Sequence, residues 1–584
     1  MITAIIAEKP SVAKDIANVL GVRERHDGYL AGNGYLVTWA FGHLVQLAMP
    51  DAYGYTGFRR ENLPIIPQEF KFIPRQIREG KEYKSDPGVL KQLKVIREVF
   101  AQSDRIIVAT DAGREGEGIF RYIYNYLDCR KPFVRLWISS LTDRAIREGL
   151  ENLKPGSDYD NLYRAAEARA IADWEIGLNA TQALSIAAGQ GIFSLGRVQT
   201  PTLMMICSRY LENKDFTPQT YYQIRVTAAK DDMPFSALSE HKYEPLPAVN
   251  TALSAVTATG TVTVADVQCK EVSQDPPLLY DLTSLQKEAN SKLGFSADKT
   301  LNIAQSLYEA KVLSYPRTGS RYISDDVFDE IPSRIALLEQ YPAFAAYAAT
   351  LKGTALNRRS VDDKKVTDHH ALLPTKSMAN ADLAALPAGE WKILRLIAAR
   401  LLCAVGEPHR YAETSIITIC AGEEFSAKGK LVLSDGWKAM ERKMLGELLG
   451  KQKEAVVLPD AQEQSQCSVA GAELKEGQTS PPKHFTEDTL LSAMQAAGAD
   501  SMPEGVERQG VGTPATRAAT IEKLVQKGFL ERKGTKKTKV LLPTDKGKAL
   551  ITVMPEEIQS ADMTADWETK LLQIERGEME PSEF

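Results

Sequence analysis

RIIVATDAGREGEGIFRYIYNYL, residues 105–127, changes periodicity partway along its length. RIIVAT is an apolar run rich in β-branched residues that ends at Asp111, AGREGE is a glycine-rich loop, and GIFRYIYNYL reads as a helix. The N-terminus repeats the design. ITAIIA ends at Glu8, and SVAKDIANVLG reads as a helix from Ser11 as N-cap to Gly21 as terminator. Strand followed by helix, twice over, predicts a parallel α/β sheet, whose ligands gather beyond the carboxyl ends of the strands. Glu8 and Asp111 project there, with Glu115 and Glu117 one turn on. Carboxylates converging on open water suit Mg²⁺, which takes a few carboxylate oxygens and keeps waters for phosphate. Acids at helix N-termini are also favoured by the macrodipole alone, so the pattern supports both readings.

At 584 residues the chain exceeds what one hydrophobic core organises, so several domains are expected. Its 43% hydrophobic and 25% charged residues are ordinary for a soluble chain, and no run reaches the roughly 18 apolar residues of a membrane span. ITAIIA meets Glu8 and Lys9 at once, which is no signal peptide, and the expected location is cytoplasmic and nucleoid-associated. The six cysteines include no CxxC pair, so neither a disulfide framework nor a zinc module is expected. No GxxxxGK[ST] occurs: the GK pairs at Gly80, Gly429, Gly450 and Gly547 are never followed by Ser or Thr, so phosphate chemistry through a P-loop is unsupported.

The net charge of -5 conceals an asymmetry. Residues 523–539, KLVQKGFLERKGTKKTK, carry seven Lys/Arg against one acid, whereas residues 551–584 carry nine acids against two bases. A concentrated basic segment is an electrostatic footprint for phosphates, although a solvated surface has the same composition. ATRAATIEKLVQKGFL has helical spacing, and FLERKGTKKTKVLLPT reads as two strands around a basic turn. Together they outline a winged helix.

VLSYPRTGSRYIS, residues 312–324, follows two amphipathic helices capped near Asp281 and Ser296 and separated by Gly294. Pro316 biases Tyr315 toward extended backbone, so the tyrosine leaves the helical unit on a stiff segment. A phenol is a poor nucleophile near neutral pH unless cations stabilise the phenolate or the phosphorus it attacks. Arg317, two residues on, points to the same side and could clamp a phosphate.

AIIAEKPSVAKDIANVLG, ATDAGREGEGIFR, SLGRVQTPTL, YDLTSLQKEANSKLGFSADKTLNIAQSLYEAKVLSYPRTGSRYIS, DHHALLPT, GVGTPATRAATIEKL and MTADWETKLLQIERG resemble, in this order, the motifs of type IA DNA topoisomerases, most closely the bacterial topoisomerase III branch. The resemblance runs from residue 1 to about residue 577. It implies a multidomain α/β plus α+β protein: an N-terminal Toprim domain with a Rossmann-like parallel sheet, winged-helix-like DNA-binding domains and a β-rich arch, closed as a torus. It further implies ATP-independent transesterification. Tyr315 attacks single-stranded DNA to give a 5′-phosphotyrosyl link, a strand passes and the break is rejoined, relaxing negative supercoils and decatenating.

By motif position, Glu8 is the general acid at the leaving 3′-oxygen, Lys9 and Arg317 hold the scissile phosphate, and His369 hydrogen-bonds near it. Mg²⁺ would bind Glu8, Asp111 and Glu115, with Glu117 as a compensating ligand. DNA contacts are expected from Arg114, Arg197, Gln199, Thr200, Arg321, Thr513 and Arg517. Three positions depart from the family pattern. Gly113 replaces the second acid of DxDxE, Gly319 replaces the Asp of PRTDS, and Gln182 stands where an Arg is common.

The family layout gives a Toprim domain over 1–155, domain IV over 156–216 and 484–584, the arch over 217–275 and 405–483, and the tyrosine domain over 276–404. The implied partners are DNA, chiefly single-stranded, with a RecQ-like helicase and a single-strand-binding protein; no membrane partner is expected, and the protein is expected to be a monomer. A Toprim nuclease or primase with a structural Tyr315, and an inactive DNA-binding relative, are the alternatives. The acidic end at Phe584, with no cysteine after Cys467, fits a minimal core enzyme and a truncated chain equally.

Overall fold

The computed structural model describes residues 1–80, 82–189, 193, 196–450, 455–498, 510–535 and 538–584. Lys536 and Lys537 of the basic turn, Ser194 and Leu195 of SLGRVQTPTL, and residues 451–454 lie outside them.

The strand Thr3–Ala7 is buried along its whole length and pairs in parallel with Tyr35–Trp39 on one side and Arg105–Ala109 on the other. Side chains alternate across it, as a strand dictates. Ile5 and Ile107 face Val12 and Ile16 of the helix Pro10–Val19, while Ile6, Ile106 and Val108 face Ile96 and Phe120 of the helices Pro87–Gln102 and Arg114–Tyr126. The expected parallel α/β unit is present. It extends to seven strands, with Phe133–Arg135 parallel beyond Arg105–Ala109 and antiparallel strands at both edges. The register pairs Ala7 with Ala109, so Glu8 and Thr110 emerge abreast at the carboxyl edge and Asp111 follows.

Ser11 is not the N-cap of the first helix. Pro10 occupies the first helical position, where its fixed φ and missing N–H cost nothing, and Lys9 becomes the cap residue. Ser11 Oγ instead meets Tyr308 Oη at 2.9 Å, across 297 residues of sequence.

The helices Leu282–Leu293 and Ala297–Glu309 start where the sequence indicates. Asp281 accepts from the Ser284 N–H and Ser296 from the Lys299 N–H, and Gly294 ends the first in a left-handed conformation. They pack with the buried helix Ala388–Ala404 around the largest apolar cluster, which includes Leu313. Six antiparallel strands drawn from residues 220–274 and 409–478 close into a barrel, leaving no free edge. The helix Pro514–Gln526 and the hairpin Leu530–Gly534/Lys539–Pro543 form the winged-helix outline and share a core with the helix Gln199–Lys214.

Candidate active site

Tyr315 is delivered to the carboxyl edge of the seven-stranded sheet by an irregular segment held against residues 373–374. The Ser314 N–H donates to Leu373 O, Ser314 Oγ accepts from the Leu373 N–H, and Leu313 bridges to Pro374. The motif DHHALLPT thus fixes the tyrosine backbone as well as supplying His369.

Lys9 Nζ stands 3.7 Å from the centroid of the Tyr315 ring, 2.5 Å from Asp111 Oδ2 and 3.5 Å from Glu8 Oε1. His369 Nε2 is 2.9 Å from the same Asp111 oxygen, and its ring lies 4.5 Å from that of Tyr315. The Asp111 N–H donates to Glu8 Oε2 at 3.3 Å. Glu8, Lys9, Asp111, Tyr315 and His369 therefore converge from four separate stretches of the chain. Arg317 is exposed on the same segment.

Burial, and then the Asp111 charge, push the Glu8 carboxyl up to about 7, so it carries a proton into the neutral range. Burial works against the Lys9 ammonium, but Asp111 and Glu8 together hold it protonated. Asp111 goes the other way: burial is outweighed by His369 and Lys9, which keep it ionised far below the ordinary carboxylate range. Burial raises the Tyr315 phenol, and Lys9 opposes that shift. One acid is poised protonated beside one held as an anion, the separation that acid–base chemistry needs.

Glu117 is a correction. It is fully buried, and its two oxygens accept from Arg121 at 2.8 Å and Arg135 at 3.1 Å. The helix carries it onto the core side, so it cannot compensate for the acid missing at position 113. Arg135, not among the residues expected at the site, also donates to the carbonyls of Val108, Thr110, Leu136 and Asp111. It fixes the loop that aims Asp111. A charged residue inside the short run FVR was the available signal.

Glu115 is exposed and lies 3.6 Å from His43, whose hydrogen bond holds the carboxyl below its ordinary range. Among the described residues no three His, Cys, Asp or Glu side chains already form a cation cage. The donor chemistry nevertheless suits a hard divalent ion. Glu8 and Asp111 offer carboxylate oxygens at the strand edge, and both Lys9 and His369 bind Asp111 through Oδ2.

The expected DNA contacts are divided. Arg114 pairs with Glu568 at 2.9 Å and with Glu575, while Arg197 is buried, pairs with Asp173 at 3.0 Å and stacks on Trp567. Arg517 and Thr200 are also buried, and Arg517 donates to Val511 O and Thr283 Oγ1. Arg321 donates to Leu279 O. Arg197, Arg517 and Thr200 are buried, whereas Arg114 and Arg321 are half-buried beside their protein partners. Thr513 caps Pro514–Gln526 in a capping box. Among the described residues, Gln199 and Gln182 each have a buried side-chain oxygen without a hydrogen-bond partner. His370 is a packing residue that burial pushes down to about 4.

A family profile described as DNA topoisomerase matches residues 157–584, and one described as Toprim domain, in general a metal-binding fold, matches residues 3–141. The chain is 40% identical over 596 residues to DNA topoisomerase 3 of Bacillus licheniformis, covering 100% of this chain and 79% of that protein. It is 40% identical over 598 residues to DNA topoisomerase 3 of Bacillus subtilis, covering 100% and 80%. Its fold is similar to full-length topoisomerase I from Thermotoga maritima, with a TM-score of 0.69 and 24% identity over 99% of this chain and 87% of that one. With the motifs in order along its whole length, the chain belongs to the type IA DNA topoisomerase family.

Proposed function

We propose that Tyr315 is the nucleophile of an ATP-independent strand transfer on single-stranded DNA. The observation that carries this reading is the stacking of Lys9 over the Tyr315 ring while Lys9 is also tied to Asp111 and Glu8. Tyr315 Oη bonds to phosphorus, the P–O3′ bond breaks and the phenol proton leaves to solvent. Glu8, protonated below about 7, gives its proton to the departing 3′-oxygen. Lys9 and Arg317 bear the charge that develops on the phosphoryl oxygens, and His369 orients Asp111 beside them. Because the phosphotyrosyl ester keeps the energy of the bond it replaced, rejoining is the reverse attack by the 3′-hydroxyl and needs no nucleotide. Mg²⁺, held by Asp111 with Glu115 near, would neutralise phosphate charge during rejoining. Relaxation of negative supercoils and decatenation follow when a strand passes between cleavage and rejoining.

The test uses a single-stranded oligonucleotide labelled on the 3′ side of the break, quenched with SDS. Wild type is expected to give a labelled covalent adduct that Tyr315→Phe lacks. Cleavage with no adduct, or an adduct that survives Tyr315→Phe, would sink the reading.

A further inference from the structure

Residues 523–539 carry a basic excess that the strand transfer does not use, and the structure sorts its charges into two groups. Arg532 pairs with Glu487 and Glu522, each at 2.8 Å, and Lys533 with Glu531 at 2.7 Å. Lys523 and Lys527 are not neutralised in this way. Lys546 joins them, its Nζ donating to Lys527 O at 2.9 Å, while the adjacent acid Asp545 is engaged by Lys548 at 2.7 Å. Among the described residues no acid pairs with Lys523, Lys527 or Lys546. Burial, and then the charges of Lys523 and Lys546, push the Lys527 ammonium below its ordinary range. Cations crowded without a counterion repel one another, and an anion laid across them removes that cost.

These lysines lie at the far end of a helix whose start touches the tyrosine segment. A Cβ at Gly319, four residues after Tyr315, would lie 3.5 Å from Pro514 Cγ. From Pro514 to Lys527 the helix rises about 20 Å. Its buried side carries Ala518, Ile521 and Leu524 into the core, and its open side shows Thr516, Ala519 and Lys523. Small side chains near the tyrosine and lysines farther out leave room for a polymer along this face. Between Gly510 and Leu550 the only aromatic residue is Phe529, which is fully buried. Lys546 lies over it and over Phe193, at 4.7 and 5.4 Å from the ring centroids. Single strands are usually gripped by stacking bases on aromatic rings. This face offers charge without a stacking platform, which suits a partner recognised by its phosphates with its bases turned inward.

We propose that Lys523, Lys527 and Lys546 form a second DNA contact, which holds the phosphate backbone of duplex DNA about 20 Å from the tyrosine segment. At about 3.4 Å per pair, that distance is about six base pairs of duplex flanking the single-stranded break site. The inference rests on the strand-transfer reading of Tyr315 and adds a feature of the substrate: a junction between single and double strand.

The test measures binding by fluorescence anisotropy at several salt concentrations with two probes: a short single-stranded oligonucleotide, and the same strand continued into a hairpin duplex that reaches past the lysines. In Lys523→Gln/Lys527→Gln/Lys546→Gln, affinity for the hairpin probe is expected to fall about tenfold or more, with the salt slope reduced by about two to three. Affinity for the short strand, and the SDS-trapped adduct formed on it, are expected to stay at wild-type values. Lys523→Arg/Lys527→Arg/Lys546→Arg keeps the charges and is expected to bind as wild type does. Hairpin binding by the glutamine variant equal to wild type would overturn the proposal and leave the lysines as a solvated face. An equal loss on both probes would overturn it in favour of a single-strand path, and a loss shared by the arginine variant would overturn it because charge would not be the cause. Failure of the underlying reading shows separately: wild type that binds both probes but forms no adduct defeats the role of Tyr315, whatever the lysines do.

Discussion

Lys9 and Glu8 are adjacent in sequence yet have opposite tasks in the proposed reaction, and their different balances of burial and neighbouring charge suit each to its own. Lys9 stays charged because two carboxylates face it, while Glu8 keeps its proton because it is buried beside the Asp111 anion. Glu8 binds its proton more tightly folded than unfolded. Its contribution to stability is therefore complete below the ordinary carboxyl value of 4.5 and is lost as pH rises toward about 7. Glu8→Gln is expected to flatten that part of the profile and to be relatively more stable than wild type at pH 8 than at pH 5. Urea unfolding at the two pH values, in EDTA, checks this; an identical pH slope in both proteins would refute it. In cleavage the same substitution should remove the decline in rate above about pH 7 and lower the plateau by about a hundredfold or more, within the range of a lost general acid.

The strand–loop–helix unit explains which acids could be placed from sequence and which could not. Glu8 and Asp111 follow directly from strand ends, so the register that pairs Ala7 with Ala109 sets them side by side, and the two short apolar runs that end at them were enough to place them. Glu117 was misplaced because a short helix start does not reveal which way it faces; that depends on Arg121 and Arg135, the latter from a neighbouring strand. Asp368 was part of a quoted motif, but its place over Gly113 is a contact between distant segments that no local periodicity encodes. Ser11 failed as a cap because the helix begins at Pro10, two residues before the start that Ser11 would cap. The Glu117–Arg135 pair, each member only 1% exposed, also makes a prediction for this unit. Glu117→Gln removes one charge and leaves a buried guanidinium unmatched, which should cost about 3–5 kcal/mol. Chemical denaturation is expected to show that loss, and a change below about 1 kcal/mol would mean that the backbone carbonyls alone satisfy Arg135.

On the scale of the whole molecule, the proposed catalytic set comes together where the Toprim sheet meets the tyrosine segment, so the contacts around that junction should control how often the set is assembled. Ser11 meets Tyr308, His369 meets Asp111, and at a further point Asp326 accepts from Ser140 at 2.8 Å and Thr142 at 2.6 Å. Burial alone would raise the Asp326 carboxyl, but its hydrogen bonds from Ser324, Thr142 and Ser140 win and lower it, so it accepts as an anion. None of these three contacts the tyrosine, which makes the cluster a means of changing closure without changing chemistry. Asp326→Ala should weaken closure by about 1–3 kcal/mol, the range for hydrogen bonds to a charged group. Strand passage requires separation after cleavage, whereas rejoining requires the assembled site. Weaker closure should therefore hold more of the protein in the cleaved, separated form, and about 1.4 kcal/mol would shift that balance tenfold. The expected result is a several-fold rise in SDS-trapped adduct at steady state with a slower return of intact strand after salt is added. Unchanged adduct and unchanged rejoining in Asp326→Ala would show that this cluster does not bear on closure, and that the contacts at Tyr308 and His369 hold the junction without it.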